Sequence, residues 1–180
     1  LVINSTGNIA SANGKLIAGQ DATLNAASLG NQAGTISARN LTVNTGTGTV
    51  DNTSGTVSAS GVANVTVGSL VNQLGTLAGA GNVTANVARL DNTSGVLGSS
   101  TGALNVTSTG NIGNAGGKLL ATEDIHLQAA SLGNQAGTVS GRNVTVNTGT
   151  GALDNTGGAI ASAAALNTTA GALTNTNGVM

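Results

Sequence analysis

Two long segments of this chain are near copies of each other. Residues 15–55 return as residues 118–158, 103 positions later, and about 29 of the 41 aligned residues are identical. Inside this long period lies a shorter one, because an aliphatic residue, an Asn two places on and then a Gly recur every 20 to 22 residues. Self-similarity at this period is typical of a solenoid, in which each repeat is one coil that buries its apolar side only by stacking on neighbours.

The composition suits a narrow cylinder better than an ordinary globule. The chain has no Trp, Tyr, Phe, Cys or Pro, yet 39% of its residues are hydrophobic. A globule of this size normally uses aromatic side chains to bury large areas, whereas Val, Leu, Ile and Ala can fill a thin coil. The 29 Gly residues could indicate disorder. Disorder, however, goes with low hydrophobicity and high net charge, and here the aliphatic positions recur regularly.

The charges argue against a nucleic-acid-binding protein, and the apolar runs argue against a membrane-spanning one. Five Lys or Arg and six Asp or Glu give a net charge of −1, so the chain has no basic stripe that would bind nucleic acid. No apolar run approaches the roughly 20 residues of a membrane span. The opening residues, LVINSTGN, resemble neither a signal peptide nor a capping element. We therefore interpret residues 1–180 as one continuous segment from inside a longer solenoid.

Aliphatic residues fall into columns that predict short strands. Near the start of each coil an aliphatic side chain is followed two places later by a small one, and side chains two apart on a strand share a face. The aliphatic members are Leu16, Ile36, Val57, Leu77, Leu97, Leu119, Val139 and Ile160. A later column in each coil, also predicted to lie in the core, contains Leu29, Val50, Leu70, Leu90, Ile112, Leu132, Leu153 and Leu173. Because a second alternating segment lies between the columns, each coil is predicted to hold two or three short strands joined by tight turns.

The most regular polar feature is an Asn two places after that later column. Its members are Asn31, Asn52, Asn72, Asn92, Asn114, Asn134, Asn155 and Asn175. If coils stack in register, these amides lie about 4.8 Å apart and can bond to one another along the axis as a ladder. Alternatively, each Asn caps its own turn through the backbone. The Gly that follows, such as Gly34 or Gly55, is predicted to supply a positive φ at the corner.

Few residues could carry chemistry. His126 is the only histidine, and its position between Ile125 and Leu127 predicts that it faces solvent. With Glu123 and Asp124 it could weakly hold a metal, although carboxylates in a turn are usually just solvated. We expect no catalytic, cofactor or metal site.

The other charged residues are also predicted to have no catalytic role. Arg39 and Arg142 repeat at matching turns, five coils and about 24 Å apart, and are interpreted as solubilising surface charges. Asp51, Asp91 and Asp154 occupy one corner of three coils that are not adjacent. Polysaccharide-acting enzymes with β-helices group acidic and basic residues in one groove, often with aromatics, and no such group occurs here. An enzyme therefore remains only a remote alternative.

Residues 29–44, of the form L-x-N-x-x-G-T-[IV]-S-A-R-N-L-T-V-N, resemble repeats of the filamentous haemagglutinins and of the related contact-dependent growth inhibition exoproteins. The resemblance covers essentially the whole chain. It implies a right-handed parallel β-helix of about nine coils inside a large, secreted Gram-negative surface protein. Export through an outer-membrane two-partner-secretion transporter is implied as well. The amino-terminal secretion domain and any carboxy-terminal toxin of the family are not matched. The resemblance therefore predicts a non-enzymatic shaft that presents distal adhesive or toxin-delivery elements.

Two binding roles remain as alternatives. The segment could itself adhere to a receptor or glycan on a host or neighbouring cell, since flat faces rich in Thr and Asn can bind sugars or protein edges. No face stands out in the sequence as the binding face. Ice binding is not expected, because the Thr45-Gly-Thr47-Gly motif recurs only five coils later. These segments are predicted to be lengthened turns.

Overall fold

Every strand pairs in parallel with strands of the coil before or after it. The computed structural model describes all residues 1–180 and contains β-strands but no helix. Since the chain has no helix at all, none of its segments could cross a bilayer as a helix.

The chain forms 22 strands. In chain order they are β1 (Val2–Asn4), β2 (Asn8–Ala10), β3 (Lys15–Ile17), β4 (Ala22–Asn25), β5 (Ser28–Gly30), β6 (Thr35–Ala38), β7 (Leu41–Asn44), β8 (Thr49–Asp51), β9 (Thr56–Ala59), β10 (Ala63–Val71), β11 (Thr76–Gly79), β12 (Val83–Asp91), β13 (Val96–Ser99), β14 (Leu104–Ser108), β15 (Asn111–Gly113), β16 (Lys118–Ala121), β17 (Ile125–Gln128), β18 (Ser131–Gly133), β19 (Thr138–Asn147), β20 (Ala152–Asp154), β21 (Ala159–Thr169) and β22 (Ala172–Thr174).

Three strand segments make one coil, and equivalent segments of successive coils form three parallel stacks. In one coil these are β6, β7 and β8, which we assign to the first, second and third stack. The long strands β10, β12, β19 and β21 each pass through two stacks. In the third stack, register runs from Ile9 through Leu29 and onward to Leu173, which gives nine coils. The predicted parallel β-solenoid of about nine coils is confirmed.

The core is a continuous column of aliphatic side chains along the axis. It contains 33 buried hydrophobic residues, so one core serves every coil. In the first stack, Ile36 pairs in register with Val57, and Val57 with Leu77. Of the third-stack residues predicted to be buried, all from Leu29 to Leu153 are at most 2% exposed. Leu173 shares their register but is 52% exposed, because only the preceding coil packs on it.

The turn after each third strand corrects the expectation for its glycines. The left-handed residue is not the Gly but the residue before it, for example Ser54, with φ 56°. Gly55 closes the turn by donating its N–H to the Asn52 carbonyl at 3.0 Å. A Cβ on Gly55 would collide with the backbone carbonyl oxygen of Asn31 in the preceding coil. Glycine is needed at this position because coils approach closely there, not because φ is positive.

The Thr-Gly-Thr-Gly segments form lengthened turns, as predicted. One of them separates β7 from β8. Thr45 is buried at its start, and its hydroxyl donates to the carbonyl oxygen of Gly48 at 3.0 Å. Thr148 makes the same contact with Gly151 in the second copy.

Candidate functional site

The asparagine column forms a continuous run of side-chain hydrogen bonds. Nδ2 of Asn52 donates to Oδ1 of Asn72 at 2.7 Å, and the same contact joins each successive pair from Asn31 to Asn175. The members from Asn31 to Asn155 have no exposed surface, whereas Asn175, in the last coil, is exposed. All donors point towards the next coil, so the run has one direction.

The same amides also bind the backbone of two coils. Nδ2 of Asn52 donates to the carbonyl oxygen of Gly55 in its own turn at 3.2 Å and to that of Thr76 in the next coil at 3.0 Å. Equivalent contacts recur at each member from Asn31 to Asn155. The structure thus combines the two geometries left open by the sequence, an axial ladder and a turn cap.

The run begins with an unpaired acceptor. Oδ1 of Asn31 is buried and has no hydrogen-bond partner. Register places Ser11 at the equivalent position of the preceding coil, because Ile9 pairs with Leu29 and Ala10 with Gly30. A serine side chain is shorter than that of asparagine and has no amide to donate, so the first rung is missing.

A second set of contacts between successive coils is made by the aspartates of the third stack. Oδ1 of Asp51 accepts from the backbone N–H of Thr53 at 3.0 Å and from its hydroxyl at 2.6 Å. Gln32, in the preceding coil, donates to Oδ2 at 2.7 Å. The arrangement recurs in two other coil pairs, with Asp91, Thr93 and Gln73 in one and Asp154, Thr156 and Gln135 in the other.

These contacts favour the charged form of the aspartates. Partial burial acts to raise the pKa of Asp51, but hydrogen bonds from Thr53 and Gln32 outweigh it and hold the pKa below its ordinary value. Asp91 has the same balance and a lowered pKa. For Asp154 the hydrogen bonds from Thr156 are the largest influence, and its pKa is lowered too.

The two repeated arginines lie in ion pairs that join adjacent coils. Nη2 of Arg39 lies 3.0 Å from Asp21, and Nη2 of Arg142 lies 3.0 Å from Glu123 and 3.2 Å from Asp124. The sequence interpretation treated both arginines only as solubilising charges and missed these pairs. The side chains in these pairs are 30% to 57% exposed, so solvent screens the attraction between their charges.

The pKa values of Asp21 and Asp124, the two aspartates in these ion pairs, are also lowered. The side-chain hydrogen bond from Asn40 is the main cause for Asp21, followed by that from Arg39. For Asp124 the main cause is the hydrogen bond from Asn143, and Arg142 adds to it.

The residues considered for metal binding do not converge on an open site. His126 is exposed in β17, and its neighbours in register are Asn105 and Thr145. Glu123 and Asp124 are instead occupied by Arg142. No group of three His, Cys, Asp or Glu side chains lies close enough to hold a metal ion.

The surface depressions contain little that could act in catalysis. One, of about 730 Å³, is lined by residues such as Gly68 and Ala88 and has Arg89 as its only titratable side chain. Another, of about 650 Å³, lies over Ala78, Gly98 and Leu120 and has none. Catalysis by acid and base needs a positioned group of suitable pKa near a substrate, and neither of these two depressions is lined by a His, Cys, Asp, Glu, Lys or Tyr side chain.

Comparison with known proteins agrees with this geometry. The family model for the haemagglutinin repeat matches residues 1–61, 36–116 and 113–179. The chain belongs to the haemagglutinin repeat family. No curated protein and no solved structure matches it. Haemagglutinin repeats are typical of secreted surface proteins and fit an adhesin-like shaft.

Two axial contacts of these haemagglutinin repeats escaped the sequence analysis. The Gln–Asp contact was visible as an alternation, since coils reading Asn-Gln at 31–32, 72–73 and 134–135 are each followed by a coil reading Asp-Asn-Thr. The ion pairs were visible only as a spacing of 18 residues between Asp21 and Arg39 and between Asp124 and Arg142. Neither pattern predicts a contact until the register between adjacent coils is known.

Proposed function

We propose that this chain is a non-enzymatic shaft segment of a secreted bacterial surface exoprotein, and that it extends and presents distal adhesive or toxin-delivery elements. The observation that carries the proposal is the axial register of nine coils, with one aliphatic core and a buried amide run from Asn31 to Asn155. At about 4.8 Å per coil the segment reaches about 40 Å.

Three independent sets of contacts support stiffness along the axis. The backbone ladders join every pair of coils, the amide run adds a buried polar connection, and the Gln–Asp contacts link three of the eight successive coil pairs at the surface. In solenoids, stability is approximately a sum over repeats and their interfaces, so length can grow without a new fold. A presenting element needs this combination of reach and uniform stiffness.

We further propose an outer-membrane two-partner-secretion transporter as the transient partner during export. The proposal is supported by the family and by the absence of cysteine, which leaves no disulfide to block passage of an unfolded chain. Each coil from Asn31 onward also offers its successor a strand edge and an amide donor, so folding can proceed coil by coil as the chain emerges. Surface display should then depend on the cognate transporter, and display that is unchanged after the transporter gene is deleted would contradict this partner.

The shaft role is testable by changing length without changing register. Deleting residues 56–95 joins Gly55 to Val96, which occupies the same register position as Thr56 two coils earlier. We expect a folded rod that is shorter by about 10 Å in small-angle scattering. Deleting residues 56–65 instead breaks the register and serves as the control, with loss of cooperative unfolding expected.

A second experiment distinguishes a shaft that presents distal elements from a segment that itself adheres to a cell. In the parent exoprotein, the shaft proposal predicts that adhesion or delivery survives replacement of outward side chains but falls when coils are removed. Activity that follows the outward side chains of this segment and is indifferent to its length would contradict a purely presenting role.

A further inference from the structure

The corner that joins the coil of Ser11 to the coil of Asn31 has a serine where every later coil has the ladder asparagine. We call this corner, residues 11–14 and 31–35, the first joint. Its backbone is the same as that of the later corners. The N–H of Ser11 donates to the carbonyl oxygen of Gly30 at 2.7 Å, and the N–H of Gly14 closes the turn on Ser11 at 2.9 Å. Asn13 takes the left-handed conformation, with φ 56°. Only one side chain therefore differs.

The second copy of the repeat shows what an amide does at this place. Asn114 lies 103 residues after Ser11. Its Nδ2 donates to Oδ1 of Asn134 at 2.7 Å. The same group also donates to the carbonyl oxygens of Gly117 and Thr138, each at 3.2 Å. Three oxygens thus surround one point, and the NH2 group at that point has two hydrogens to share among them.

The first joint brings together the same three acceptors. Gly14, Asn31 and Thr35 lie 103 residues before the three acceptor residues of the second copy. The backbone N–H of Thr35 donates to the carbonyl oxygen of Gly14 at 2.9 Å, so the two coils meet here as they do elsewhere. Oδ1 of Asn31 is completely buried and accepts no hydrogen bond. Ser11 is 5% exposed, and its hydroxyl does not donate to this oxygen.

We propose that a single buried water molecule binds at the first joint, at the point that the amide nitrogen occupies in the later coils. A water has two O–H donors, just as a side-chain NH2 group has two N–H donors. It therefore serves Oδ1 of Asn31 and one of the two backbone carbonyl oxygens. Its own oxygen accepts a hydrogen bond from the Ser11 hydroxyl. Buried waters typically make about three such bonds to groups that otherwise have no partner.

A cation fits the first joint less well than a water, although its acceptors are all oxygens. Neither residues 11–14 nor residues 31–35 include a carboxylate that would balance a buried charge. Burying a charge without a counter-charge is costly, whereas a neutral donor has no such cost. Serine also suits a water better than alanine would, because its hydroxyl supplies the donor that holds the oxygen of the water.

A bound water holds two coils together less firmly than an amide does. The amide is attached to the chain, whereas a water must be immobilised at a cost in entropy and exchanges with solvent. We therefore expect the first joint to open more readily than the corner of Asn114. This inference does not depend on the shaft role, since it concerns the contacts of one corner.

A high-resolution crystal structure of the folded chain tests the site directly. We expect one water within about 3.2 Å of Oδ1 of Asn31 and of Oγ of Ser11. In the Ser11→Asn variant, the new Nδ2 should replace this water and extend the amide run by one member. A direct hydrogen bond from Ser11 to Oδ1 of Asn31, no density at this point, or a cation in place of the water would each overturn the proposal.

Backbone hydrogen exchange tests the consequence in solution. Ser11→Asn should slow exchange of the Thr35 N–H by about tenfold, because it replaces an exchangeable water with an attached amide. The N–H of Thr138, at the equivalent corner of the second copy, is the internal reference and should not change. Equal exchange of Thr35 in the variant and the unmodified chain would contradict the weaker joint.

The reverse change is made in the interior of the solenoid, at Asn114. Asn114→Ser should create a second water site and speed exchange of the Thr138 N–H by about tenfold. Asn114→Ala should speed it by about a further fivefold, because alanine has no hydroxyl to hold the water. Equal effects of the serine and alanine variants would show that the hydroxyl does not hold a water, and would overturn the proposal.

Discussion

Nδ2 of Asn72 lies 2.7 Å from Oδ1 of Asn92, and both side chains are completely buried. The same Nδ2 group donates to the carbonyl oxygen of Gly75 in its own turn and to that of Val96 in the next coil. One side-chain amide therefore connects its own turn to two groups of the next coil. Buried polar groups are costly when unpaired and stabilising when every partner is present. The buried amide column is therefore a stability element whose effect depends on its continuity.

Replacing Asn72 with Ala is expected to destabilise the fold by about 3 kcal/mol, because it leaves the buried Oδ1 of Asn92 without a donor and removes the side-chain hydrogen bonds to the carbonyl oxygens of Gly75 and Val96. Urea denaturation gives the free energy of unfolding. Asn86→Ala is the matched control, since Asn86 is exposed and its change should stay within about 0.5 kcal/mol. Similar losses for both variants would mean that the buried amides contribute nothing special.

Gly95→Ala is expected to destabilise the protein by about 3 kcal/mol or to prevent folding, because the new Cβ would collide with the backbone carbonyl of Asn72. Gly19→Ala is the control, since a Cβ there meets nothing within 4 Å. That control should be neutral or stabilising by about 0.5 kcal/mol through the unfolded state. Thermal melting distinguishes the two, and a Gly95→Ala protein as stable as the parent would disprove the close approach.

Leu74→Asn is expected to stabilise the fold by about 1 kcal/mol. Leu74 adopts a φ of 55° and is 68% exposed, so it combines an unfavourable backbone conformation with an exposed apolar side chain. Asn13 and Asn177 occupy the equivalent turn position in other coils, which shows that Asn fits there. Leu74→Ala keeps the backbone problem and should leave the melting temperature nearly unchanged. If Ala stabilised as much as Asn, exposure rather than backbone conformation would be the cause.

Acid should weaken the fold through its aspartates. Hydrogen bonds hold the pKa values of Asp51, Asp91 and Asp154 below their ordinary value, so the folded state binds protons less readily than the unfolded chain. Their contribution is fully present above about pH 4, the unfolded pKa, and is lost as the pH falls through the lower folded values. Denaturation between pH 6 and pH 2 measures this slope, and Asp91→Asn should reduce it. Stability that rises with acidification would contradict the assignment.

Much of the fold was predictable because the repeat carries its own register. Once Leu29 and Val50 are recognised as equivalent, the pairing of Gly30 with Asp51 follows without further information. The inward columns were predictable for the same reason, since alternation along a strand decides which face a side chain takes. Ile9 extends the third-stack column but was not included, because its coil lacks the Asn that marks the others.

The corner was predicted less well, for a physical reason. A Gly in a turn can be required by a positive φ or by a neighbouring backbone, and a sequence alone does not separate the two. Here Gly55 serves the second need, while Ser54 takes the left-handed conformation. The ion pair of Arg39 with Asp21 was missed because surface charges acquire partners only when adjacent coils are placed side by side.

The Gln–Asp contacts set a rule for inheritance. Unequal recombination between repeats can lengthen or shorten such a gene. A crossover between a Gln coil and its Asp coil, however, leaves one residue of the contact without its partner. Breakpoints that keep Gln32 with Asp51, Gln73 with Asp91 and Gln135 with Asp154 leave all three contacts whole. The near-identical blocks 15–55 and 118–158 each contain one complete pair, so length variants built from these blocks inherit shafts of different reach and the same chemistry.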